Sequence, residues 1–258
     1  MDLFKIGEKL LKVAQIQEEV DTQEKVNKAH ITDATFIYFR NLGENSMAAL
    51  SREEEYQLAK KIETAYREIA KILFSNKFGL NEFKKLFKKL ETVRIKKFIR
   101  IGIPMTHEFL NQRKNDLLEI VTRINDSKEK DLNSQEKEIL VQKIVKFDLQ
   151  YRYLDIIEEK FKKLAKIKKD ENLEKTAGLS REILVEDLGK IDYFKIIIKE
   201  TINIMWEKNL KLPILMAKNF EGRGIEFSDL ISVGNDGLRK AIEIFDYRRQ
   251  YRLITIAV

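Results

Sequence analysis

The residues with the clearest chemical potential stand near the carboxyl end of the chain, where three arginines alternate with two tyrosines over residues 247–252. Arginines in such a run could hold phosphate groups, although contacts to phosphates do not by themselves read bases. The run closes a dense segment, residues 208–251, in which glycines separate apolar stretches. Its order predicts a helix, a glycine turn, a short helix, a second glycine turn, a last helix and this basic and aromatic end.

Other candidate sites for chemistry are poorly supported. The chain has no cysteine, which excludes disulfides, thiolate zinc sites and cysteine nucleophiles. His30 and His107 lack neighbours at metal-ligand spacing, which favours surface or capping roles over metal binding. Gly222-Arg-Gly224 is too short for a dinucleotide or P-loop signature. No nucleophile–base pair or paired-carboxylate site is supported, so we predict no enzyme activity, no catalytic residue, no metal and no cofactor.

The net charge of the chain limits the classes of binding partner only in part. The formal net charge of the 258 residues is +7 and the pI is about 9.2. A positive excess favours nucleic acid, acidic protein faces or anionic lipid, without choosing among them. No run approaches the roughly 18 apolar residues of a membrane span. The amino terminus lacks the pattern of a secretory signal, so a cytoplasmic protein without a membrane partner is predicted.

Apolar residues recur at three- and four-residue steps along most of the chain, and no convincing alternating strand pattern is present, so the predicted fold class is all-α. The clearest helix start is Ser51 with Glu54, a capping box in which hydroxyl and carboxylate each satisfy a backbone amide. Residues 108–125 and 134–169 also follow helical steps, which predicts a helical insertion of two or three antiparallel helices. Four segments are predicted: an amino-terminal helix over 1–32, a helix pair over 33–75, the insertion over 76–195 and the last helices over 196–258.

Proline and glycine punctuate the last segment. Pro213 predicts that the helix restarts near Asn209 or kinks there, because proline costs about 3 kcal/mol inside a straight helix. Ser228 predicts an N-cap for the following helix. Gly234 and Gly237 predict a loosened backbone before the last apolar face. The single tryptophan, Trp206, is predicted to lie in the core.

Four stretches, in order, resemble the primary bacterial RNA polymerase sigma factors of the sigma-seventy family. They are Asp33–Glu63 with its Leu50-Ser-Arg-Glu-Glu, Ala177-Gly-Leu-Ser-Arg-Glu182, Asn209-Leu-Lys-Leu with Ala217-Lys-Asn-Phe220, and the glycine-punctuated run to Tyr251. Together they cover about a third of the chain, and the fourth is the most specific. The resemblance implies sigma-factor domain two with a helical insertion, and a role in transcription initiation.

The resemblance also implies a partner, a coiled coil in the largest subunit of the polymerase core. Asp229 and Asn235 would contact it, while buried apolar residues hold the helices together. Acidic and amide groups that meet a basic helical hairpin give orientation and on-rate. The chain departs from the family at Ser232, Val233, Asp236 and Arg239, and a basic residue facing a basic coiled coil is expected to weaken docking. The predicted polymerase-binding residues are Asp229, Leu230, Ile231, Ser232, Asn235, Leu238 and Arg239.

After the fourth stretch, the family uses aromatic residues to stack on unpaired bases of the promoter minus-ten element. Base–aromatic stacking contributes about 1–3 kcal/mol per base. Leu253 and Ile256 stand where the family has aromatic residues, and its tryptophan pair would lie beyond Val258. The resemblance therefore implies weak or incomplete promoter contacts. The predicted DNA-binding residues are Arg40, Tyr247, Arg248, Arg249, Tyr251, Arg252 and Thr255.

Three functions stay open at this point. The first is a sigma-like initiation factor, as a fragment or truncated paralogue, that binds polymerase core and, weakly, minus-ten DNA. The second is a helical interaction protein of sigma descent that does not initiate transcription. The third is a non-specific basic nucleic-acid binder, whose affinity would fall steeply with salt.

Overall fold

The computed structural model of the chain describes residues 50–87, 95–100, 106–126, 133–167 and 170–257. Within these residues every regular element is helical, which confirms the all-α prediction. The predicted amino-terminal helices, His30 and Arg40 lie outside the described residues. No helix in the described ranges is long and apolar enough to cross a bilayer.

Ten α-helices and two 3-10 helices are described. The α-helices are α1 (Arg52–Phe74), α2 (Lys77–Leu86), α3 (His107–Asp126), α4 (Ser134–Phe147), α5 (Tyr151–Leu164), α6 (Asp170–Ala177), α7 (Arg181–Glu207), α8 (Lys211–Lys218), α9 (Phe227–Ile244) and α10 (Ile254–Ala257). The 3-10 helices are Ile95–Lys97 and Tyr247–Arg249.

The chain divides into two compact units, one made of residues 1–57 with 202–258 and the other of residues 58–201. The divisions fall inside α1 and α7. The four-segment division predicted from the sequence stays a prediction.

The second unit is built around aromatic side chains. Phe83 is fully buried and packs edge-on against Phe74, with 5.6 Å between ring centroids. Phe87 and Phe147 complete the cluster at 5.0 and 6.1 Å from Phe83. Phe74 belongs to α1, Phe83 and Phe87 to α2 and its C-cap, and Phe147 to α4. The cluster therefore joins helices that are distant in sequence. Aromatic pairs in such geometry stabilise beyond their buried area by about 0.5–1.5 kcal/mol each.

The insertion contains more helices than predicted, because α2 to α6 all lie within residues 77–177. The stretch with helical steps that starts at residue 134 contains two helices, α4 and α5. Asp148 adopts left-handed backbone geometry, with φ of 60°, at the end of α4. The backbone then pairs with residues 98–100, where Arg100 N–H donates to the Asp148 carbonyl at 2.9 Å and Gln150 N–H to the Phe98 carbonyl at 2.7 Å. This short bridge interrupts a pattern that is helical in its apolar spacing.

Candidate polymerase and nucleic-acid interface

The first turn of α1 is fixed by the predicted capping box. Glu54 N–H donates to the Ser51 hydroxyl at 3.2 Å, and Ser51 N–H donates to the Glu54 carboxylate at 2.7 Å. The hydrogen bond from the Ser51 amide, followed by that from its hydroxyl, lowers the pKa of Glu54 below its ordinary value. The box satisfies two amides that the first turn of a helix otherwise leaves without partners.

Glu55, one residue further, is buried and holds the end of the chain. Its Oε1 accepts from Arg252 Nε at 3.0 Å, and its Oε2 accepts from the Leu253 amide at 3.1 Å. The Arg252 guanidinium also donates to the Leu50 carbonyl at 2.5 Å. Leu253 itself is fully buried. One carboxylate therefore attaches both a cation and a backbone amide of the carboxyl-terminal segment to α1.

The first half of the basic and aromatic run, Tyr247–Arg249, forms a 3-10 helix. Asp246 caps it, accepting from the Arg248 amide at 3.1 Å, and binds the Arg248 guanidinium through both carboxylate oxygens at 2.8 and 2.7 Å. Gln250 ends the turn in left-handed geometry, with φ of 58°. Its carbonyl accepts from the Arg52 guanidinium at 2.9 Å. The run is therefore positioned by charged side chains on both sides.

The same residues line an open, solvent-facing cavity of about 460 Å³ in the first unit. Its aromatic lining is Phe245, Tyr56, Tyr247 and Tyr251, with Tyr56 and Tyr247 edge to face at 4.6 Å between ring centroids. Its polar lining is Arg52, Glu55, Arg248 and Gln250. Tyr251 is 48 % exposed. Exposed aromatic faces beside arginines can stack on unpaired bases and attract phosphates.

The second feature of the first unit is the hairpin of α8 and α9. Ile214 and Ala217 of α8 pack on Ile231 of α9, with Phe227 and Leu230 beside them. Between the helices, Gly222 and Gly224 take positive φ of 78° and 83°. Only glycine adopts such geometry at low cost, so this turn matches the predicted glycine turn.

The other predictions for this segment, which concern its proline, its later glycines and its helix cap, are partly wrong. Pro213 lies in the first turn of α8, where its missing donor costs little, so the helix restarts as one of the two predicted alternatives. α9 runs unbroken through both Gly234 and Gly237 instead of forming two helices with a turn. A Cβ built at Gly234 would lie 3.0 Å from Pro213 Cα, so this glycine serves close helix packing. Ser228 is no cap either, because α9 starts at Phe227.

The predicted polymerase-binding residues separate into an outer and an inner set on α9. Asp229, Ser232 and Arg239 are exposed, and Leu230 and Asn235 are half-buried. Ile231 and Leu238 are buried inside the first unit. The inner pair therefore supports the helix rather than offering a contact surface. Val233, which the sequence analysis noted only as a departure, is 70 % exposed on the outer face.

The predicted DNA-binding residues are only partly brought together at the cavity, and Arg40 lies outside the described residues. Tyr247, Arg248 and Tyr251 line it. Arg249 and Thr255 are exposed. Arg248 and Arg252 are held in ion pairs with Asp246 and Glu55 at 2.7 and 2.9 Å. Their charges are thus partly neutralised within the chain, which reduces what they offer to phosphates.

Sequence reasoning missed Arg52, Glu55, Tyr56 and Phe245 as parts of this site. Of the three consecutive glutamates that start α1, the sequence analysis singled out only Glu54, as part of the capping box. One signal was present, because Glu55 falls four and seven residues before Ala59 and Ile62, on the apolar face of α1. An acidic residue on an apolar face indicates a buried partner.

Trp206 differs from its predicted core position. It is half-buried, and the Arg239 guanidinium lies 5.9 Å from its ring centroid. This cation–π contact holds Arg239, one of the residues that differ from the sigma-factor pattern, against the first unit.

No known protein-family model matches the chain.

Proposed function

We propose that the chain is a sigma-like transcription factor that binds RNA polymerase core in the cytoplasm through the outer face of α9. The observation that supports it most is that the stretch with the most specific resemblance forms one helix with Asp229, Ser232 and Val233 exposed. An apolar side chain exposed among polar ones can supply affinity, and the flanking charges supply orientation. The coiled coil of the largest polymerase subunit is the proposed partner.

Asp229→Ala is expected to lower recovery of the chain on immobilised polymerase core about tenfold, because one charge contact to a basic helix is worth roughly 1–2 kcal/mol. Asp229 is exposed, so the substitution should leave the fold unchanged. Glu159→Ala is the matched control, since it removes one exposed carboxylate from α5 in the second unit. Equal recovery of wild type and Asp229→Ala would remove Asp229 from the interface.

We also propose that the cavity between α1 and the carboxyl-terminal segment accepts an unpaired base of the promoter minus-ten strand. Tyr56, Tyr247 and Tyr251 offer aromatic faces, and Arg52 is a second cation at its wall. The internal ion pairs of Arg248 and Arg252 leave fewer positive charges for phosphates, so the expected DNA affinity is low.

Tyr251→Ala is expected to weaken binding of a single-stranded minus-ten oligonucleotide about tenfold, within the about 1–3 kcal/mol that stacking of one base contributes. Fluorescence anisotropy at low salt measures it. Phe220→Ala is the control, because Phe220 is an aromatic residue of the first unit that is 45 % exposed and does not line the cavity. If both variants lose the same affinity, the cavity has no special role in base binding.

The internal pairing of Arg248 and Arg252 favours one alternative, a sigma-derived interaction protein that occupies polymerase without initiating transcription. The two functions differ in a promoter-dependent transcription assay. Joined to the carboxy-terminal half of a sigma factor, an initiation factor should support transcription, whereas a pure interaction protein should bind core and give no transcript.

A further inference from the structure

A stripe of six exposed residues runs along α7 in the second unit. These residues are Glu182, Val185, Gly189, Asp192, Ile196 and Lys199. Their spacing of three, four, three, four and three residues is the period of two helices that pack along their length. Val185 is 62 % exposed and Ile196 is 56 % exposed. Apolar side chains at this spacing are normally covered.

The stripe has room for a second helix. A Cβ built at Gly189 would meet no atom within 4 Å, so the middle of the stripe is open and lacks a side chain. Tyr193, 60 % exposed, stands beside this gap. A large ring beside a glycine suits packing against a second, antiparallel copy of the same helix. In that arrangement the Tyr193 ring of each copy can fill the gap at Gly189 of the other.

The sequence of the stripe is complementary to its own reverse. When two copies of α7 run antiparallel about a point between Lys190 and Ile191, Glu182 faces Lys199 of the other copy. Val185 then faces Ile196, and Gly189 faces Asp192. The next residues outward, Arg181 and Glu200, also carry opposite charges. In a parallel pair each residue would meet its own copy, and Glu182 and Lys199 would each face a like charge.

Asp192 does not disturb this arrangement. Its carboxylate lies 2.8 Å from the Lys162 ammonium of α5, so its charge is compensated within its own copy. The residue opposite, Gly189, is uncharged and small. In the antiparallel arrangement, each pair of facing residues is therefore of opposite charge, apolar, or formed by a glycine and a carboxylate whose charge is already neutralised within its own copy.

We propose that the chain forms a two-fold symmetric dimer in which this stripe packs against the same stripe of a second copy, with the two α7 helices antiparallel. A two-fold interface of this kind needs a self-complementary surface, which the stripe provides. The contacting part of α7 is about 27 Å long, and an interface of this size falls in the weak class below about 1,200 Å². The dimer is therefore reversible and depends on concentration. It involves the second unit only and does not rest on the proposed polymerase role.

Charge exchange tests the proposal by sedimentation velocity of the full chain across a dilution series. The two-fold symmetry repeats the contact between residues 182 and 199 at both ends of the interface. Glu182→Lys or Lys199→Glu alone therefore creates two like-charge contacts, and each should weaken dimerisation about tenfold. The double variant restores opposite charges and should recover the wild-type constant. Glu159→Lys is the control, because it makes the same charge change at an exposed position of α5, outside the stripe, and no effect is expected. A wild type that stays monomeric at every concentration, or a double variant no better than the singles, overturns the proposal.

Disulfide trapping gives a second measurement, which is clean because the chain has no cysteine. In the antiparallel pair, Val185→Cys with Ile196→Cys places the two thiols across the interface, and the double variant should form covalent dimers under mild oxidation. Each single variant should not, because equivalent residues of the two copies lie about 16 Å apart along the axis, beyond disulfide reach. Single variants that cross-link as readily as the double variant contradict the antiparallel arrangement.

Discussion

Replacing Glu55 with alanine is expected to detach the carboxyl-terminal segment from α1. The change removes the acceptor of both the Arg252 guanidinium and the Leu253 amide. Hydrogen bonds to charged groups contribute about 1.5–3 kcal/mol, and the Leu253 amide is left buried without its acceptor. The free energy of local opening of residues 251–257 should therefore fall by about 2–3 kcal/mol. Hydrogen exchange of the backbone amides in this segment should accelerate about 30- to 150-fold.

Glu53→Ala is the matched control for Glu55→Ala. Glu53 is the same residue type in the same turn of α1, but it is exposed and its carboxylate accepts from the exposed Gln57 Nε2 at 2.5 Å. Exposed substitutions of this kind usually change stability by less than about 0.5 kcal/mol. Exchange in residues 251–257 that is equal in the two variants would mean that Glu55 does not hold the segment.

The same experiment bears on the proposed base-binding cavity. Glu55 and Arg52 connect α1 to the carboxyl-terminal segment, so the cavity wall depends on their contacts. If the cavity takes a base, Glu55→Ala should weaken oligonucleotide binding even though it frees a positive charge at Arg252. A variant that binds more tightly would indicate that phosphate attraction, rather than the shaped cavity, dominates DNA affinity.

Local signals in the sequence were sufficient for much of the fold. The capping box at Ser51 and Glu54 uses two side chains three residues apart, and it forms as predicted. Gly178 follows the end of α6 with φ of 67°, the geometry for which glycine is favoured after a helix. The apolar residues that recur at three- and four-residue steps form the buried helix faces, and Tyr66, Phe74 and Phe83 are among them. In each case the deciding interaction lies within a few residues of the signal, or depends only on which helix face is apolar.

The sequence failed where a contact joins distant residues. Glu55 pairs with Arg252, which lies 197 residues later in the chain, and nothing in the local pattern identifies that partner. The break at Asp148 likewise depends on backbone pairing with residues 98–100, about fifty positions earlier. Arg248 was predicted to face phosphates, yet Asp246 two residues away binds it through both oxygens. That last contact was within reach of the sequence, since the two residues occur together.

The glycines of α9 show the same limit. Both were interpreted as backbone punctuation, because glycine permits conformations that other residues avoid. The helix is continuous, and the two positions differ only in what lies opposite them. Gly234 faces Pro213, whereas a Cβ at Gly237 would meet nothing within 4 Å. Tertiary contact, and not backbone freedom, distinguishes them.

Alanine at these two positions is therefore expected to change stability in opposite directions. At Gly234 the new Cβ would lie 3.0 Å from Pro213 Cα and Cβ and 3.2 Å from its carbonyl oxygen. Backbone atoms cannot rotate away, so α8 and α9 must separate. Overpacking lowers the free energy of unfolding by about 3 kcal/mol at the upper end of its range, and the higher helix propensity of alanine raises it by about 1 kcal/mol. The expected net loss is about 2 kcal/mol. At Gly237 only the propensity gain of about 0.5–1 kcal/mol operates.

Urea denaturation followed by tryptophan fluorescence measures both variants in the relevant unit, because Trp206 is the only tryptophan and lies in residues 202–258. The Gly234→Ala midpoint should fall and the Gly237→Ala midpoint should rise. If α9 binds polymerase core as proposed, the first variant should lose recovery on core, because Asp229 lies on the displaced helix, while the second variant keeps it. Two variants that shift in the same direction would show that the closeness of Gly234 to Pro213 does not limit packing of the hairpin.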